Sequence, residues 1–207
     1  MLASVDLLER EKCREFLEFQ KDRIKAPNLK VAASMVMKRY AKDYLDYTLP
    51  SILSDSEVKV IPITAINLSE NLKFTVNHTM SFYVRKQSEG WKQLFAGHLT
   101  KIIMSLHNTT NLPLIILWEN IAVRINSFFR KALDHNPGQT DMINTRFKEL
   151  HELDGSYFDQ NSHPMKNYLT PVESIGQQKI RSTCCYFHKL KKDKELPYCL
   201  VCPLTNK

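Results

Sequence analysis

Four of the five cysteines fall in the last 24 residues: Cys184-Cys185, thirteen intervening residues, then Cys199-Leu-Val-Cys202 followed by Pro203. A Cys-x-x-Cys turn brings two sulfurs close enough to serve one metal centre, which is why the spacing recurs in zinc and iron–sulfur sites. The first pair is adjacent, and neighbouring residues of an extended chain point their side chains to opposite faces. One tetrahedral ion would need a bent backbone there. A two-iron cluster is a larger target whose four ligands need not meet at a single atom. Adjacency therefore tilts the reading from zinc toward a cluster and leaves zinc open. A disulfide is disfavoured where thiols stay reduced.

The surroundings add charge. Residues 179–207 carry seven Lys or Arg against two acids, a net +5 within a chain of net charge +7. Four thiolates, two ferric ions and two sulfides make a doubly negative centre, and nearby cations ease its reduction. The plainer reading of Lys189 to Glu195 is a solvated turn between the cysteine pairs. His188 follows closely enough to hydrogen-bond a sulfur or bind a metal, or else is a surface residue. Arg181 stands just before the first pair, where it would pair with the centre or a substrate, or be solvated. Cys13, alone in a helical pattern, reads as a small, partly buried packing residue.

Several function classes drop out. With five glycines, no Gly-x-Gly-x-x-Gly and no Walker-type loop, there is no nucleotide-binding signature. Basic residues are spread without a nucleic-acid motif, so no nucleic-acid partner is expected; the charge reads first as a solvated basic surface and next as suited to an anionic small ligand. Acidic residues interrupt the start of the chain, unlike a signal peptide. The apolar run Leu112 to Trp118 falls far short of the roughly 20 residues a bilayer needs. No transmembrane segment and a cytoplasmic location are the expectations.

The elements that must position the cysteines are mostly helical. Residues 6–24 set Leu7, Leu8, Phe16, Leu17 and Ile24 among charges, as an amphipathic helix does. A second helix runs from about Lys30 to Leu49, with a Met and Tyr stripe read as core and Pro50 as its kink or end. Val58, Val60, Ile61, Ile63 and Ile66, the turn Asn67 to Asn71, then Phe74, Val76 and Phe82 to Val84 predict two or three short strands, most simply a meander. Helices follow from Gly90 to His107, from Leu114 to Leu133 and from Thr140 to Leu153, with breaks at Asn108–Pro113 and His135–Gly138. Residues 154–176 lack periodicity and read as an irregular cover. The expectation is a helix-rich α+β fold with a small antiparallel sheet in the middle of the chain. It divides into a body over residues 1–178 and a four-cysteine segment over residues 179–207.

Arg181-Ser-Thr-Cys184-Cys185-Tyr186 followed by Cys199-x-x-Cys202-Pro203 resembles the terminal motif of FhuF-type ferric siderophore reductases. Leu117-Trp118-Glu119-Asn120, in an apolar helix, is similar to that family's Leu-Trp-x-Asn. The element order is similar to the carboxyl-terminal domain of the aerobactin-synthetase (IucA/IucC) group. The resemblance implies a 2Fe–2S cluster on Cys184, Cys185, Cys199 and Cys202, and one-electron reduction of a ferric siderophore. It also implies an electron donor of reductase, ferredoxin or flavodoxin type, and it makes Trp118 and Asn120 either helix anchors or substrate contacts. The alternative is a non-enzymatic, zinc-stabilised siderophore-binding or adaptor module. Where the family's gap between pairs is about ten residues, the thirteen found here cost little extra closure entropy.

Overall fold

The computed structural model describes residues 2–54, 56–190 and 197–205. Lys191, Lys192, Lys194 and Lys207, read above as basic neighbours of the cysteines, lie outside the described residues, as do Asp193 and Glu195. Among the described residues, six α-helices carry the core: α1 (Arg10–Arg23), α2 (Leu29–Ile52), α3 (Gln87–Leu94), α4 (Thr100–Thr110), α5 (Leu114–His135) and α6 (Thr140–Glu152). Five short strands complete the helix-rich α+β fold: β1 (Leu2–Ala3), β2 (Val58–Val60), β3 (Ile66–Leu68), β4 (Phe74–Val76) and β5 (Phe82–Val84). No helix among the described residues is long and apolar enough to cross a membrane.

Asn28 starts α2 by accepting a hydrogen bond from the Val31 amide at 3.1 Å, satisfying one of the orphan amides of the first turn. The helix does not stop at Leu49. Pro50 sits in its last turn, where the lost N–H costs one bond, and the helix runs on to Ile52. Ala32, Ala33 and Ser34 are fully buried, and these small side chains let α2 pack along α5. Of the predicted Met and Tyr stripe, Tyr40 and Tyr44 are core residues, Met35 is half-buried and Tyr47 is exposed, while Met37 fills the core beside them.

The strands do not form a meander. β3 and β4 make an antiparallel hairpin whose outer partner is β1, with Leu2 opposite Leu68. β2 instead pairs with β5 across that hairpin, with Val58 opposite Val84. Each strand is about three residues long, so local alternation carried little register information, and the pairing follows which side chains reach the core. Val58 and Val60 of β2 are buried, as are Ile66 and Leu68 of β3.

The stretch from Gly90 to His107 is also not one regular helix. A π-helical turn, Phe95–Leu99, separates α3 from α4. Such a turn carries one extra residue and swings a side chain out of the α-helical series. Here it places His98 inside the core. His98 Nδ1 lies 3.2 Å from the Ile61 carbonyl oxygen, an acceptor, so that nitrogen carries the proton. Nε2 then accepts from the Tyr40 hydroxyl at 2.6 Å, and the Tyr44 ring stacks on the imidazole at 3.8 Å. Burial lowers the His98 pKa to about 3 from its ordinary 6.5, so the ring is neutral in the fold.

After α6 the chain forms short turns and lies over the helices. Phe158, Met165 and Leu169 are buried there, and Phe158 packs against Phe95 at 4.5 Å. Cys13 is buried on α1, more completely than its sequence setting implied.

Candidate functional site

Two helices receive the cysteine segment. On α5, Glu119 and Asn120 interrupt an otherwise apolar run, and both are buried. A buried carboxylate requires partners, since its desolvation is otherwise uncompensated. Glu119 finds them in the chain just before the first cysteine pair. It accepts from the Ser182 amide at 2.6 Å, the Thr183 amide at 2.9 Å and the Thr183 hydroxyl. Arg181 Nη2 lies 3.3 Å from the same carboxylate, and the two side chains are 1% and 2% exposed.

Asn120 continues the latch. Its Oδ1 accepts from Arg181 Nη1 at 2.7 Å, while its Nδ2 donates to the Ser34 carbonyl and hydroxyl oxygens at 3.2 Å each. The Ser34 hydroxyl in turn donates to the Cys185 carbonyl oxygen at 2.9 Å. Lys38, one turn further along the same face of α2, donates to Cys185 Sγ at 3.3 Å. Arg181 Nε donates to the Thr183 carbonyl oxygen at 3.0 Å. Arg181 is thus a buried positioning residue, in contrast to a solvated surface cation.

The bend demanded by adjacent cysteines follows immediately. Tyr186 adopts the left-handed conformation, φ 65° and ψ 10°, which costs a non-glycine residue about 1 kcal/mol. The turn brings the Tyr186 amide to Cys184 Sγ at 3.3 Å. The two sulfurs have different neighbours. Cys185 Sγ lies 3.5 Å from Cys199 Sγ, whereas Cys184 Sγ lies 3.5 Å from His188 Nδ1. His188 is therefore beside a cysteine sulfur, and its ring stacks with Tyr198 at 5.9 Å.

The second pair is held by backbone bonds. The Cys202 amide donates to the Cys199 carbonyl oxygen at 3.0 Å, closing the Cys-x-x-Cys turn, and the Leu204 amide reaches Cys202 Sγ at 3.5 Å. The Arg181 amide donates to the Val201 carbonyl oxygen at 3.1 Å, tying the two halves together. All four cysteines are free thiols; Cys185 and Cys202 are buried and the other two half-buried.

Electrostatics differ from sulfur to sulfur. The hydrogen bond with Cys199 draws the Cys185 thiol well below its usual range, against the effect of burial and with help from Lys38 and Arg181. That bond and burial push the Cys199 thiol up. Burial also raises Cys184, partly offset by the Tyr186 amide.

Among the described residues, no three His, Cys, Asp or Glu side chains converge as a ready-made metal site. The donor chemistry nonetheless fits a metal centre. Two thiolates on one tetrahedral metal, each bond about 2.3 Å, stand about 3.8 Å apart. The Cys185–Cys199 separation of 3.5 Å is close to that. Amide donors on two sulfurs and an ammonium on a third are the contacts that stabilise metal-bound thiolate.

Trp118 plays no part at the sulfurs. It is buried with its ring edge-on to Phe158 at 5.8 Å, inside the core. Ser34, Lys38 and Glu119 were not singled out from the sequence. Glu119 had a signal, an acid within the apolar run Leu114 to Ala122; Ser34 and Lys38 had none, since their role depends on α2 lying beside the segment.

The chain matches no protein-family model, no curated protein and no solved structure.

Proposed function

We propose that Cys184, Cys185, Cys199 and Cys202 hold a 2Fe–2S cluster and that the protein reduces ferric siderophores by one electron in the cytoplasm. The observation that carries this reading is the approach of Cys185 to Cys199, 3.5 Å apart beneath the Lys38 ammonium. When bound, such a cluster supplies one electron at a time. The chain's own residues bind and orient. Cys185 and Cys199 offer neighbouring sulfurs, while Cys184 and Cys202, on turns set by Tyr186 and by the Cys199–Cys202 bond, would complete the set. Lys38 and Arg181 offset negative charge, and Glu119 with Asn120 keeps Arg181 in place.

The ferric ion of the siderophore is the substrate. It gains the electron, and its hard oxygen donors hold the ferrous product far more weakly, so iron leaves with the ligand intact. A protein of reductase, ferredoxin or flavodoxin type supplies the electron. No general acid or base is required.

Anaerobically purified protein is expected to show visible charge-transfer bands that bleach on reduction, with iron and sulfide in equal amounts. A colourless protein with stoichiometric zinc overturns the reading. A second reading, a zinc-stabilised siderophore-binding or adaptor module, draws on the same 3.5 Å pair, since two thiolates on one tetrahedral ion have nearly that spacing. Metal analysis separates the two.

A further inference from the structure

Beside Cys199, between the flank of α5 and the cysteine segment, lies a cleft of about 270 Å³. Five cations line it, Lys38, Arg124, Arg130, Lys179 and Arg181, and among the described lining residues there is no carboxylate. Two of the five are engaged with the candidate centre: Arg181 pairs with Glu119, and Lys38 donates to Cys185. Among the described residues, the other three form no ion pair. Lys179 donates to the carbonyl oxygens of Asn167 and Leu169, each at 2.7 Å, and Arg130 to the Gln178 side-chain oxygen at 3.3 Å.

Arg124 is the least satisfied. Its Nε is buried without a hydrogen-bond partner, and among the described residues no acid forms an ion pair with the guanidinium. Burial lowers its pKa from the ordinary value, an effect that Asp46 and Asp43, neither in an ion pair with it, offset only in part. Arg124 is half-buried, and an acceptor arriving from outside would satisfy its buried Nε and add close negative charge.

Arginine forks match planar oxyanions in a bidentate manner. Phosphate sites usually add a helix N-terminus or a nest of backbone amides. The α-helical lining here, Lys38 of α2 and residues 123–130 of α5, lies inside the helices, so its contribution is side chains alone. That favours carboxylates, several of them, spread as the cations are.

We infer that this cleft binds an oligocarboxylate anion, so that the ferric complex presented to the cysteines is held by carboxylate-type donors and carries negative charge. The assignment of the cleft stands on its cations, and its extension to the ferric complex rests on the reductase reading. Neutral hydroxamate complexes would leave Arg124 and Arg130 unpaired and bind poorly.

The test is calorimetric titration of the full chain, purified anaerobically, with gallium(III) citrate, a carboxylate complex that matches ferric charge and takes no electron. Saturable binding is expected, weakened at least tenfold by Arg124→Gln and severalfold by Arg130→Gln, with little binding of a neutral gallium trihydroxamate. Thermal melts identify any variant that fails to fold, and Arg130, whose hydrogen bond is exposed, supplies the second variant. Equal affinity for the neutral complex, or unchanged affinity in both folded variants, overturns the inference. A protein that binds gallium citrate but carries zinc defeats the reductase reading and supports the cleft. One that carries the iron cluster and ignores gallium citrate defeats the cleft assignment alone.

Discussion

The two halves of the cysteine segment are held by different means. Cys184–Cys185 is fastened to the helical body by buried side chains, through Glu119, Asn120 and Ser34. Cys199–Cys202 is held by its own turn and by the Arg181–Val201 backbone bond, with Gln178 donating to the Leu200 carbonyl oxygen at 3.2 Å from an exposed position. Buried, charge-assisted bonds in a low-dielectric interior resist distortion more than exposed neutral ones. On the proposed reading, the first half would be a prepositioned pair of ligands and the second the half free to adjust as a metal centre forms.

The sharpest way to break that comparison is to remove a ligand from the adjustable half. Cys202→Ser is expected to abolish cluster loading, read as near-complete loss of sulfide and of the visible bands. A fully loaded, active variant would contradict the ligand assignment.

Removing the latch itself comes next. Glu119→Ala leaves Arg181 buried without its counter-charge and strips two amides of their acceptor, at a cost of about 3–5 kcal/mol. Urea unfolding measures the loss. In metal-free protein, alkylation of Cys184 and Cys185 should accelerate while that of Cys199 and Cys202 changes little. A loss under about 1 kcal/mol, or equal acceleration at all four, would mean that the two halves are not held differently.

Acid acts on the core and so provides a contrast with the latch. His98 is neutral in the fold, with a pKa lowered to about 3 by burial against 6.5 in the unfolded chain. Its contribution is complete above pH 6.5, where both states are neutral. Below that the unfolded chain takes up the proton first, and stability falls by about 1.4 kcal/mol per pH unit as the pH approaches the folded value. His151 and His163, also lowered by burial, act in the same direction. His98→Gln is expected to flatten this slope in denaturation series between those pH limits; an unchanged slope would place the acid sensitivity elsewhere.

The smallest effect is expected at Ser34. Ser34→Ala removes one bond to the Cys185 carbonyl oxygen and one to Asn120, about 1 kcal/mol in all. It should speed alkylation of Cys185 selectively, and a uniform change across the four thiols would argue for a global effect instead.

Much of the scaffold could be read from residue order. Apolar spacing marked all the principal helices to within a few residues, and the β-branched run at Val58 to Ile66 marked strands. What escaped was nonlocal. β1 pairs with β3, and β2 with β5, because buried valines and leucines meet the core there, not because of any turn between them. The π-helical turn at Phe95–Leu99 follows from His98 finding Tyr40 and Ile61, residues remote in sequence. Pro50 was overruled because packing continues past it to Ile52. At the site, the residues beside the sulfurs escaped for the same reason. His188 and Arg181 were legible as neighbours in the chain, whereas Lys38 reaches Cys185 only across the interface.

The sequence by itself determined the four thiols, their spacing and the basic stretch around them, since ligand chemistry is a property of residue type. It also required a bend at the adjacent pair, because an extended backbone sends neighbouring side chains apart. Only the tertiary structure decided where that bend falls, at Tyr186, and which sulfurs meet, Cys185 with Cys199. It also decided that Glu119 would anchor the segment and that Arg124 Nε would be buried without a hydrogen-bond partner among the described residues. The physical reason is that burial sets the worth of a charge, and burial belongs to the assembled fold, not to any stretch of chain.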